Sequence, residues 1–434
     1  MVSIIRLDNN IRGQLEYIPT LTKINKLNCP FNKIIYADYI GSGKPVPIIN
    51  RYLEKYIFPY YANVHSNSLF SSYMNNLINK TKQYIRQVLN VTETQQLIFT
   101  GNGATGAINH LVNSIDYEKY NNIFIFLSTY EHHSNFLPWV ELSKKNNKIY
   151  INIIPLTNDG LINYAWYKKT YLSLLTYNSN SLFITSVTAC SNVSGIKTNL
   201  LLLKKIIGNT GMLFVDYACS APYEKINASL FNAIFISPHK FIGGDSTPGL
   251  LIADKNLFMN KCPFMPGGGC VKQANNEIIE YVIDIEKRET AGTPNIIGII
   301  KIKLILKLKE LCFSIIKYNE AKITYYIHNK LYNLQQPNLK CLYLNKHLNI
   351  RLPILCFSID SIEPKQIVQI LNKYYGIQAR SGIFCSGLFS KHINDTIQIN
   401  GWCRISFHWM MTIDDINYII NAIIEIANNH NNLI

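Results

Sequence analysis

The sequence predicts an α/β protein in which a large, mostly parallel sheet is flanked by helices and followed by a smaller α+β domain. Two observations support this fold class. Short apolar runs alternate with helix-like segments through the middle of the chain, which is the pattern of strand–helix crossovers in a buried parallel sheet. Beyond about residue 298, long helical stretches replace this alternation and indicate a second unit of different construction.

The predicted strands of the large sheet are short runs rich in β-branched and aromatic residues. They cover residues 123–128, 150–156, 182–187, 212–216, 233–237 and 249–253. Helical segments at 161–171 and 197–207 lie between members of the first four runs, as crossover helices do. The last two runs are separated by the glycine-rich residues 243–248, so we expect neighbouring strands joined by a loop.

The C-terminal part is predicted to contain two long helices, a few strands and a closing helix. The helices cover residues 300–316, 320–334 and 413–427, and the strands cover residues 351–359 and 403–407. We therefore divide the chain into three parts. Residues 1–35 are an N-terminal segment that packs on the small domain. Residues 36–298 form the large domain, and residues 299–434 form the small C-terminal domain.

The composition is typical of a globular protein of the cytoplasm. Of 434 residues, 48% are hydrophobic and 16% are charged, and no apolar run reaches the roughly 18 residues that cross a membrane. The net charge of +15 comes from basic residues spread along the chain, without the motif of a nucleic-acid-binding module. The ten cysteines form no CxxC pair and the N-terminus resembles no signal peptide, so we expect reduced thiols.

A lysine at the end of a buried strand is the central candidate for chemistry. Lys240 closes the sequence Ser237-Pro238-His239-Lys240, which follows the apolar run at 233–236. Burial at such a position favours the neutral amine, which is the form that attacks an aldehyde to give a Schiff base. The alternative is an ordinary solvated lysine on the surface.

Two further segments carry groups that a ligand with a pyridine ring and a phosphate would need. Asp216 ends the run at 212–216, where a carboxylate can keep a ring nitrogen protonated; a turn or cap aspartate is the alternative. Residues 97–107 have the pattern of a strand, a glycine-rich turn and the start of a helix, whose backbone N–H groups can bind phosphate. The turn has neither the P-loop motif nor the dinucleotide-binding motif.

An imidazole follows the strand at 123–128. His132 lies in Tyr130-Glu131-His132-His133, which places an aromatic ring at the same strand-end surface as the lysine and the carboxylate. A metal site is the alternative for a pair of histidines. Because no Cys, Asp or Glu at suitable spacing completes a ligand set, we expect no metal.

The order and spacing of these groups resemble the class V aminotransferases of fold type I, and in particular their cysteine desulfurase-like branch. The resemblance runs from about Tyr36 to Phe407. The motifs that carry it are Tyr36-Ala37-Asp38, Asn63-Val64-His65-Ser66, Gly103-Ala104-Thr105, Glu131-His132-His133, Ser191-Asn192-Val193-Ser194-Gly195, Val215-Asp216, Ser237-Pro238-His239-Lys240 and Gly292-Thr293-Pro294.

The resemblance implies a homodimeric enzyme that holds pyridoxal 5'-phosphate as a Schiff base on Lys240. It assigns Asp216 to the pyridine nitrogen and His132, a catalytic residue with Lys240, to stacking on the ring. Cys219 stands where this family usually has Gln, so a thiol replaces an amide near the ring oxygen. The further cofactor contacts that it implies are Ala104, Thr105, Asn192, Ser237 and His239, with Gly292 and Thr293 from the partner subunit.

The same resemblance implies the desulfuration of L-cysteine to L-alanine. Cys385 follows Arg380 by five positions, as the sulfur-accepting cysteine of this branch does. Lys240 would move the Cα proton, and the Cys385 thiolate would attack the substrate sulfur and keep it as a persulfide for an acceptor protein. The residues that would bind the substrate are Arg380, Arg404, Asn192 and His65.

Other activities stay open on the sequence alone. Ile383 and Phe384 stand where comparable desulfurases often carry histidines, and the alternative for Cys385 is an unreactive buried thiol. An aminotransferase, an epimerase or a selenocysteine lyase of the same family would use the same cofactor site. A non-catalytic member of the family would instead act as a binding protein.

Overall fold

A computed structural model of the chain describes residue 15, residues 33–397 and residues 401–429. Of the segment 1–35 that we expected to pack on the small domain, only Leu15 and residues 33–35 lie within the described part. Leu15 is buried, and the strand Ile35–Tyr36 pairs in parallel with Ile377–Gln378, near the C-terminal end of the chain. The rest of that prediction lies outside the described residues.

The described residues form eleven helices and fifteen strands. The helices are α1 Pro47–Tyr56, α2 Leu69–Val88, α3 Gly103–Ser114, α4 His133–Lys145, α5 Tyr164–Tyr177, α6 Leu200–Ile207, α7 Ile285–Arg288, α8 Ile296–Leu334, α9 Pro364–Tyr375, α10 Gly387–Ile397 and α11 Ile413–Asn429. The strands are β1 Ile35–Tyr36, β2 Gln95–Thr100, β3 Asn122–Ser128, β4 Ile149–Ile154, β5 Ser181–Thr188, β6 Met212–Asp216, β7 Ala233–Ile236, β8 Gly249–Asp254, β9 Val271–Ala274, β10 Ile279–Tyr281, β11 Leu339–Cys341, β12 Ile354–Ile359, β13 Ile377–Gln378, β14 Arg380–Gly382 and β15 Trp402–Ser406.

The large sheet has seven strands in the order β2-β8-β7-β6-β5-β3-β4. Strands β4, β3, β5, β6 and β7 run parallel, whereas β8 is antiparallel to both of its neighbours. The predicted α/β class is therefore confirmed. The prediction for residues 243–248 is also confirmed, because this loop joins β7 to the adjacent antiparallel β8 without a crossover.

Both faces of the large sheet are buried, as the near-continuous apolar strands require. Successive side chains of β3 show this, because Ile125 and Leu127 pack in one hydrophobic cluster with Trp139 of α4, while Phe126 packs in another with Tyr167 of α5. With both faces covered by helices, the strand ends are the part of the sheet that can receive a ligand.

The second sheet is antiparallel, in the order β11-β12-β15-β14. Its core residues Leu355 and Ile405 pack with Ile323 of α8, Ile367 of α9 and Ile419 of α11. This arrangement of a small antiparallel sheet and helices fits the predicted α+β character. The fold class is thus as expected, whereas the boundaries at residues 36, 298 and 299 remain predictions.

One secondary-structure prediction was wrong. The two helices expected at 300–316 and 320–334 are a single helix, α8, whose 39 residues also span the predicted domain boundary. Two polar residues between the predicted segments, Lys317 and Asn319, have partners outside the helix and do not end it. Lys317 pairs with Glu224 at 2.9 Å, and the Asn319 amide donates to the carbonyl of Trp409 at 2.8 Å.

Smaller differences concern where elements begin. Helix α5 begins at Tyr164 rather than at 161, because the Asn163 side chain caps it by accepting from the Trp166 N–H at 2.9 Å. Strand β12 begins at Ile354 rather than at 351, directly after Pro353, whose nitrogen has no hydrogen to donate to a neighbouring strand.

Candidate active site

A cavity of about 180 Å³ lies at the carboxyl ends of β5, β6 and β7. Its walls come from both sheets and from the loops between them. The lining residues are Ile40, Gly41, Asn102, Ala104, Thr105, His132, Ser134, Thr188, Asn192, Asp216, Ala218, Cys219, Ser237, His239, Lys240, Arg380, Phe384, Cys385 and Arg404. Most of the residues singled out in the sequence therefore meet in one place.

Lys240 lies on the single helical turn Pro238–Lys240 that follows β7. Its N–H donates to the Ser237 carbonyl at 3.0 Å, which fixes the turn. Burial lowers the pKa of the Lys240 amine, while the nearby Cys219 and Asp216 act in the opposite direction. The net direction favours the neutral amine, which is the nucleophilic form.

Asp216 ends β6 and is 2% exposed. One of its carboxylate oxygens accepts from the Ala218 N–H at 2.8 Å. Burial raises the pKa of this carboxyl group despite that hydrogen bond and the charge of Lys240. A buried carboxyl group of this kind suits pairing with a protonated ring nitrogen, because the ion pair would compensate for its desolvation.

The turn between β2 and α3 brings the helix N-terminus to the cavity. Gly103 has φ +58°, and a Cβ there would lie 2.6 Å from His239 Cε1 and 2.8 Å from Ser237 Oγ. The Ala104 N–H donates to Ser237 Oγ at 2.9 Å. Backbone N–H groups, a hydroxyl and an imidazole thus converge beside Thr105. Such a helix N-terminus fits a phosphate group.

His132 is the N-cap of α4, and its Nδ1 accepts from the Ser134 N–H at 3.1 Å. This bond fixes the orientation of the ring, with Nε2 as the protonated nitrogen of the neutral imidazole. Burial lowers the pKa of His132 to about 4, with smaller contributions from the charges of Lys240 and His133. The ring is therefore neutral near pH 7, as stacking on an aromatic cofactor requires.

Glu131 links the chain segments next to His132 through hydrogen bonds, a role that the sequence did not reveal. The side chain is fully buried and accepts from Asn135 Nδ2 at 2.7 Å, from the Thr188 N–H at 3.0 Å and from the Ser128 hydroxyl. These donors tie the ends of β3 and β5 to α4. Burial raises the pKa of Glu131 to about 8, although the three donors favour its ionised form.

Two arginines share one carboxylate, which the sequence analysis also missed. Asp38 Oδ1 lies 2.7 Å from Arg404 Nη2, and Asp38 Oδ2 lies 2.9 Å from Arg380 Nε. Arg404 further donates from Nη1 to the Asn192 carbonyl at 3.0 Å, whereas its buried Nε has no partner among the described residues. The motif at 36–38 includes Asp38, but no local signal indicates its partners.

The loop that carries Cys385 is held against the cavity. Asn192 Nδ2 donates to the Phe384 carbonyl at 2.9 Å, and the His133 N–H donates to the Cys385 carbonyl at 2.6 Å. Phe384 and Cys385 both adopt the left-handed conformation, with φ +52° and +53°. Cys385 is exposed rather than buried, and its thiol lies beside the cavity. The buried Asn192 Oδ1 has no partner in the described part of the chain.

Cys219 lines the cavity from the loop after β6. Its sulfur is buried and lies 3.9 Å from the carbonyl oxygen of Ser191. A hydrogen bond from the Cys190 thiol lowers the pKa of Cys219, and the charges of Lys240 and Arg404 act in the same direction. Cys219 thus lines the same cavity as Lys240, while its predicted place near the ring oxygen of the cofactor stays a prediction.

Three expected site residues lie outside this cavity. His65 is exposed and close to Gly269, where a Cβ would lie 3.6 Å from His65 Cε1. The Gly292 N–H donates to the Gly268 carbonyl at 2.7 Å, and Thr293 is exposed beside it. His65 and the segment 292–293 thus approach the same short glycine segment, while neither lines the cavity around Lys240.

Two further observations concern metal ions and membranes. Within residues 33–397 and 401–429, no group of three or more His, Cys, Asp or Glu side chains is placed to hold a metal ion. No helix in the described ranges is long and apolar enough to cross a membrane.

Comparison with known proteins finds a matching family model, relatives of similar sequence and a solved structure of similar fold. The family model described as aminotransferase class-V matches residues 35–419. A protein of Borreliella burgdorferi named "Probable cysteine desulfurase" is 29% identical, over 94% of this chain and 96% of its own length. A protein of Pyrococcus abyssi with the same name is 25% identical, over 91% and 94%. The apo structure of a cysteine desulfurase from Thermococcus onnurineus superposes with a TM-score of 0.82 at 20% identity and covers 98% of both chains.

Proposed function

This chain belongs to the class V aminotransferase family, and from that premise we propose that it is a pyridoxal-phosphate-dependent cysteine desulfurase. The proposed reaction converts L-cysteine to L-alanine and leaves the sulfur on Cys385 as a persulfide. The observation that carries the proposal is the exposed thiol of Cys385, held on a left-handed turn beside a cavity that contains Lys240 and two arginines.

The described residues fit pyridoxal 5'-phosphate at three separate points. Because Gly103 has no side chain, space remains for a phosphate at the N-terminus of α3, next to Ser237, His239 and Thr105. The buried Asp216 suits the pyridine nitrogen, and the neutral ring of His132 suits stacking. Lys240 would form the covalent link. When bound, the cofactor supplies an electron sink for bonds broken at the substrate Cα.

Substrate binding would rest on the two arginines. Arg404 and Arg380 together carry two positive charges against the single carboxylate of Asp38, which leaves net positive charge for the substrate carboxylate. Asn192 holds the loop of Phe384 through its amide nitrogen, and its free Oδ1 can accept from a substrate amine or from another bound donor. The geometry thus provides acceptors and donors for both ends of an amino acid.

Sulfur transfer requires a thiolate that can reach the substrate sulfur. The sulfur of Cys385 would attack, the substrate carbon–sulfur bond would break, and the electron pair of that bond would remain with the carbon. Lys240 would deliver the proton that completes L-alanine. The hydrogen bond from the His133 N–H to the Cys385 carbonyl fixes the backbone of this loop, and the Cys385 side chain is exposed beside the cavity.

A second copy of the chain would complete the site. A group of aromatic side chains is exposed on the segments that flank His65 in the sequence, and Tyr60 contacts the rings of Phe70 and Tyr73, so these side chains form a joint apolar surface of the kind that marks protein interfaces. Its members are Tyr56, Phe58, Tyr60, Tyr61, Phe70 and Tyr73. We propose that this surface is buried in a homodimer and that His65, Gly292 and Thr293 then reach the cavity of the partner subunit.

The test compares Cys385→Ser with Cys262→Ser, since Cys262 is another exposed cysteine that lies outside the cavity. With L-cysteine and a thiol reductant, Cys262→Ser should form alanine and sulfide as the wild type does. Cys385→Ser should lose both products by about two orders of magnitude or more, because the covalent nucleophile is absent. Wild-type turnover in Cys385→Ser, or transfer of the amino group to a 2-oxo acid, would contradict the desulfurase proposal.

A further inference from the structure

Two cysteines lie side by side at the inner wall of the cavity. Strands β5 and β6 are parallel neighbours in which Thr188 pairs with Asp216, so the residues that follow them leave the sheet together. Cys190 and Cys219 are these followers, and both are buried. Their sulfur atoms lie 3.6 Å and 3.9 Å from one oxygen, the carbonyl of Ser191.

The two thiols are chemically unequal. Cys190 has one thiol proton and two carbonyl acceptors, Ser191 and Gly195, the second at 3.1 Å, in addition to the Cys219 sulfur. Burial raises the pKa of Cys190 well above its usual value, whereas the hydrogen bond from Cys190 and the nearby Lys240 lower the pKa of Cys219. Cys219 is therefore the member of the pair that forms a thiolate first.

The two thiols are also unequal in position. Cys219 shares the cavity with Lys240 and with the exposed Cys385, whereas Cys190 does not line it and is 0% exposed. A reactive sulfur in the cavity can therefore reach Cys219, and the buried Cys190, whose thiol donates to the Cys219 sulfur, is the thiol next to it. This is the arrangement of an attacking thiol and a resolving thiol.

We propose that Cys219 and Cys190 form a reactive dithiol that removes the terminal sulfur of a persulfide in the cavity as hydrogen sulfide and closes to a disulfide. The persulfide in question is that of Cys385, so the physiological source of sulfur rests on the function proposed above. The dithiol is thus an internal outlet for sulfur that no acceptor collects.

The proposed steps balance in atoms and electrons. The Cys219 thiolate attacks the terminal sulfur of the Cys385 persulfide, the sulfur–sulfur bond breaks, and Cys385 leaves as a thiolate. Cys219 now carries the persulfide. Cys190 attacks the inner sulfur of that persulfide, the sulfur–sulfur bond breaks, and the expelled hydrosulfide takes up the proton of the Cys190 thiol to give hydrogen sulfide. The pair loses two electrons and two protons, and the transferred sulfur atom gains both electrons as it becomes hydrogen sulfide.

Closure of the disulfide changes the site. It removes the thiol that faces Lys240 and joins the loops after β5 and β6 covalently, one of which also carries Asn192. Turnover should therefore fall as the disulfide accumulates and return when a thiol reductant opens it. An enzyme that lacks an acceptor for its persulfide would stop itself in this way.

The first arm of the test supplies sulfur chemically. Reduced holoenzyme, freed of reductant, is mixed with sodium tetrasulfide and examined by intact mass and by peptide mapping without reduction. Wild type should yield a peptide pair joined through Cys190 and Cys219, with release of sulfide. Cys190→Ser should yield none and should instead retain one added sulfur atom on Cys219. Cys356→Ser is the matched control, because Cys356 is also buried but lies outside the cavity, and it should behave as wild type.

The second arm supplies L-cysteine without any acceptor or reductant. The same joined peptides should appear, and Cys385→Ser should prevent their formation. Absence of the Cys190–Cys219 link in the tetrasulfide arm of folded wild type overturns the dithiol inference, whatever L-cysteine does. A link that forms with tetrasulfide but not with L-cysteine overturns Cys385 as the donor. Alanine measured in the same L-cysteine sample then decides the desulfurase proposal separately, because its formation shows that the sulfur was removed from the substrate.

Discussion

Replacing Asp38 by asparagine tests whether one carboxylate organises the substrate end of the cavity. Asp38 pairs with Arg404 at 2.7 Å and with Arg380 at 2.8 Å, but the two arginines differ in exposure. The Arg404 side chain is 2% exposed and that of Arg380 is 50% exposed. The loss of charge at Asp38 should therefore be felt mainly through Arg404, since solvent screens Arg380.

The magnitude follows from this difference. Removing one partner of a buried ion pair costs about 3–5 kcal/mol, because the other charge stays buried without compensation. The amide oxygen introduced by Asp38→Asn would still accept one hydrogen bond, which brings the expected loss to about 2–4 kcal/mol. The exposed pair with Arg380 adds at most about 1 kcal/mol. Arg380→Ala alone should thus cost far less than Asp38→Asn.

The assay is urea-induced unfolding followed by circular dichroism, with Asp159→Asn as the matched control. Asp159 pairs with Lys346 at a similar distance of 2.7 Å, but both side chains are more than half exposed. Asp159→Asn should leave the free energy of unfolding close to that of the wild type, because solvent screens this exposed pair. If Asp38→Asn has the same free energy of unfolding as that control, the buried ion pair between Asp38 and Arg404 does not stabilise the protein.

Three further changes test other parts of the site. Gly103→Ala should weaken binding of pyridoxal 5'-phosphate in an absorbance titration, because its Cβ would lie 2.6 Å from His239 Cε1. Gly101→Ala is the control and should bind as wild type, because a Cβ there would have nothing within 4 Å. Equal affinities of the two variants would contradict a phosphate site at the N-terminus of α3. His132→Gln should lose less stability than wild type when the pH falls from 6.5 to about 4. In that window the unfolded imidazole gains a proton that the folded one does not, so stability drops with pH, and an unchanged acid profile in apoprotein melts would speak against a buried neutral His132. Mixing Thr293→Ala with Lys240→Ala subunits should restore some activity through dimers that contain one site free of both changes, and no recovery in confirmed mixed dimers would exclude a shared site.

The features that were predictable from sequence are those that a short segment determines. Lys240 and Asp216 each follow an apolar run, and a strand followed by a polar group places that group at the sheet edge without any knowledge of the rest of the fold. The turn at Gly103 is likewise local. For Lys240 and Asp216, the apolar residues that bury a short parallel strand are visible in the sequence, and the end of that strand sets the position of the polar side chain.

The features that were missed depend on partners far away in the chain. The bond between Arg404 and Asp38 spans 366 positions, and nothing near either residue indicates the other. The same holds for helix α8, where the polar residues Lys317 and Asn319 interrupt the apolar pattern in the way that a helix end does. Their partners Glu224 and Trp409 explain why the helix continues. Tertiary contacts override local pattern here.

The cationic character of the cavity links substrate binding to thiol chemistry. Lys240 and Arg404 both line the cavity, where their charges favour any bound anion, including a substrate carboxylate, and they add to the hydrogen bond from Cys190 that lowers the pKa of Cys219. Burial alone raises the pKa of Cys312 to about 11, and burial raises the pKa of Cys356 to about 12 although the charges of Arg404 and Arg351 act in the opposite direction. We therefore expect the thiol at position 219 to form a thiolate more readily than one buried elsewhere in the core, because the hydrogen bond from Cys190 and the charges of the cavity both favour the ionised form. This is why a cysteine there has chemical consequences that one elsewhere in the core would lack.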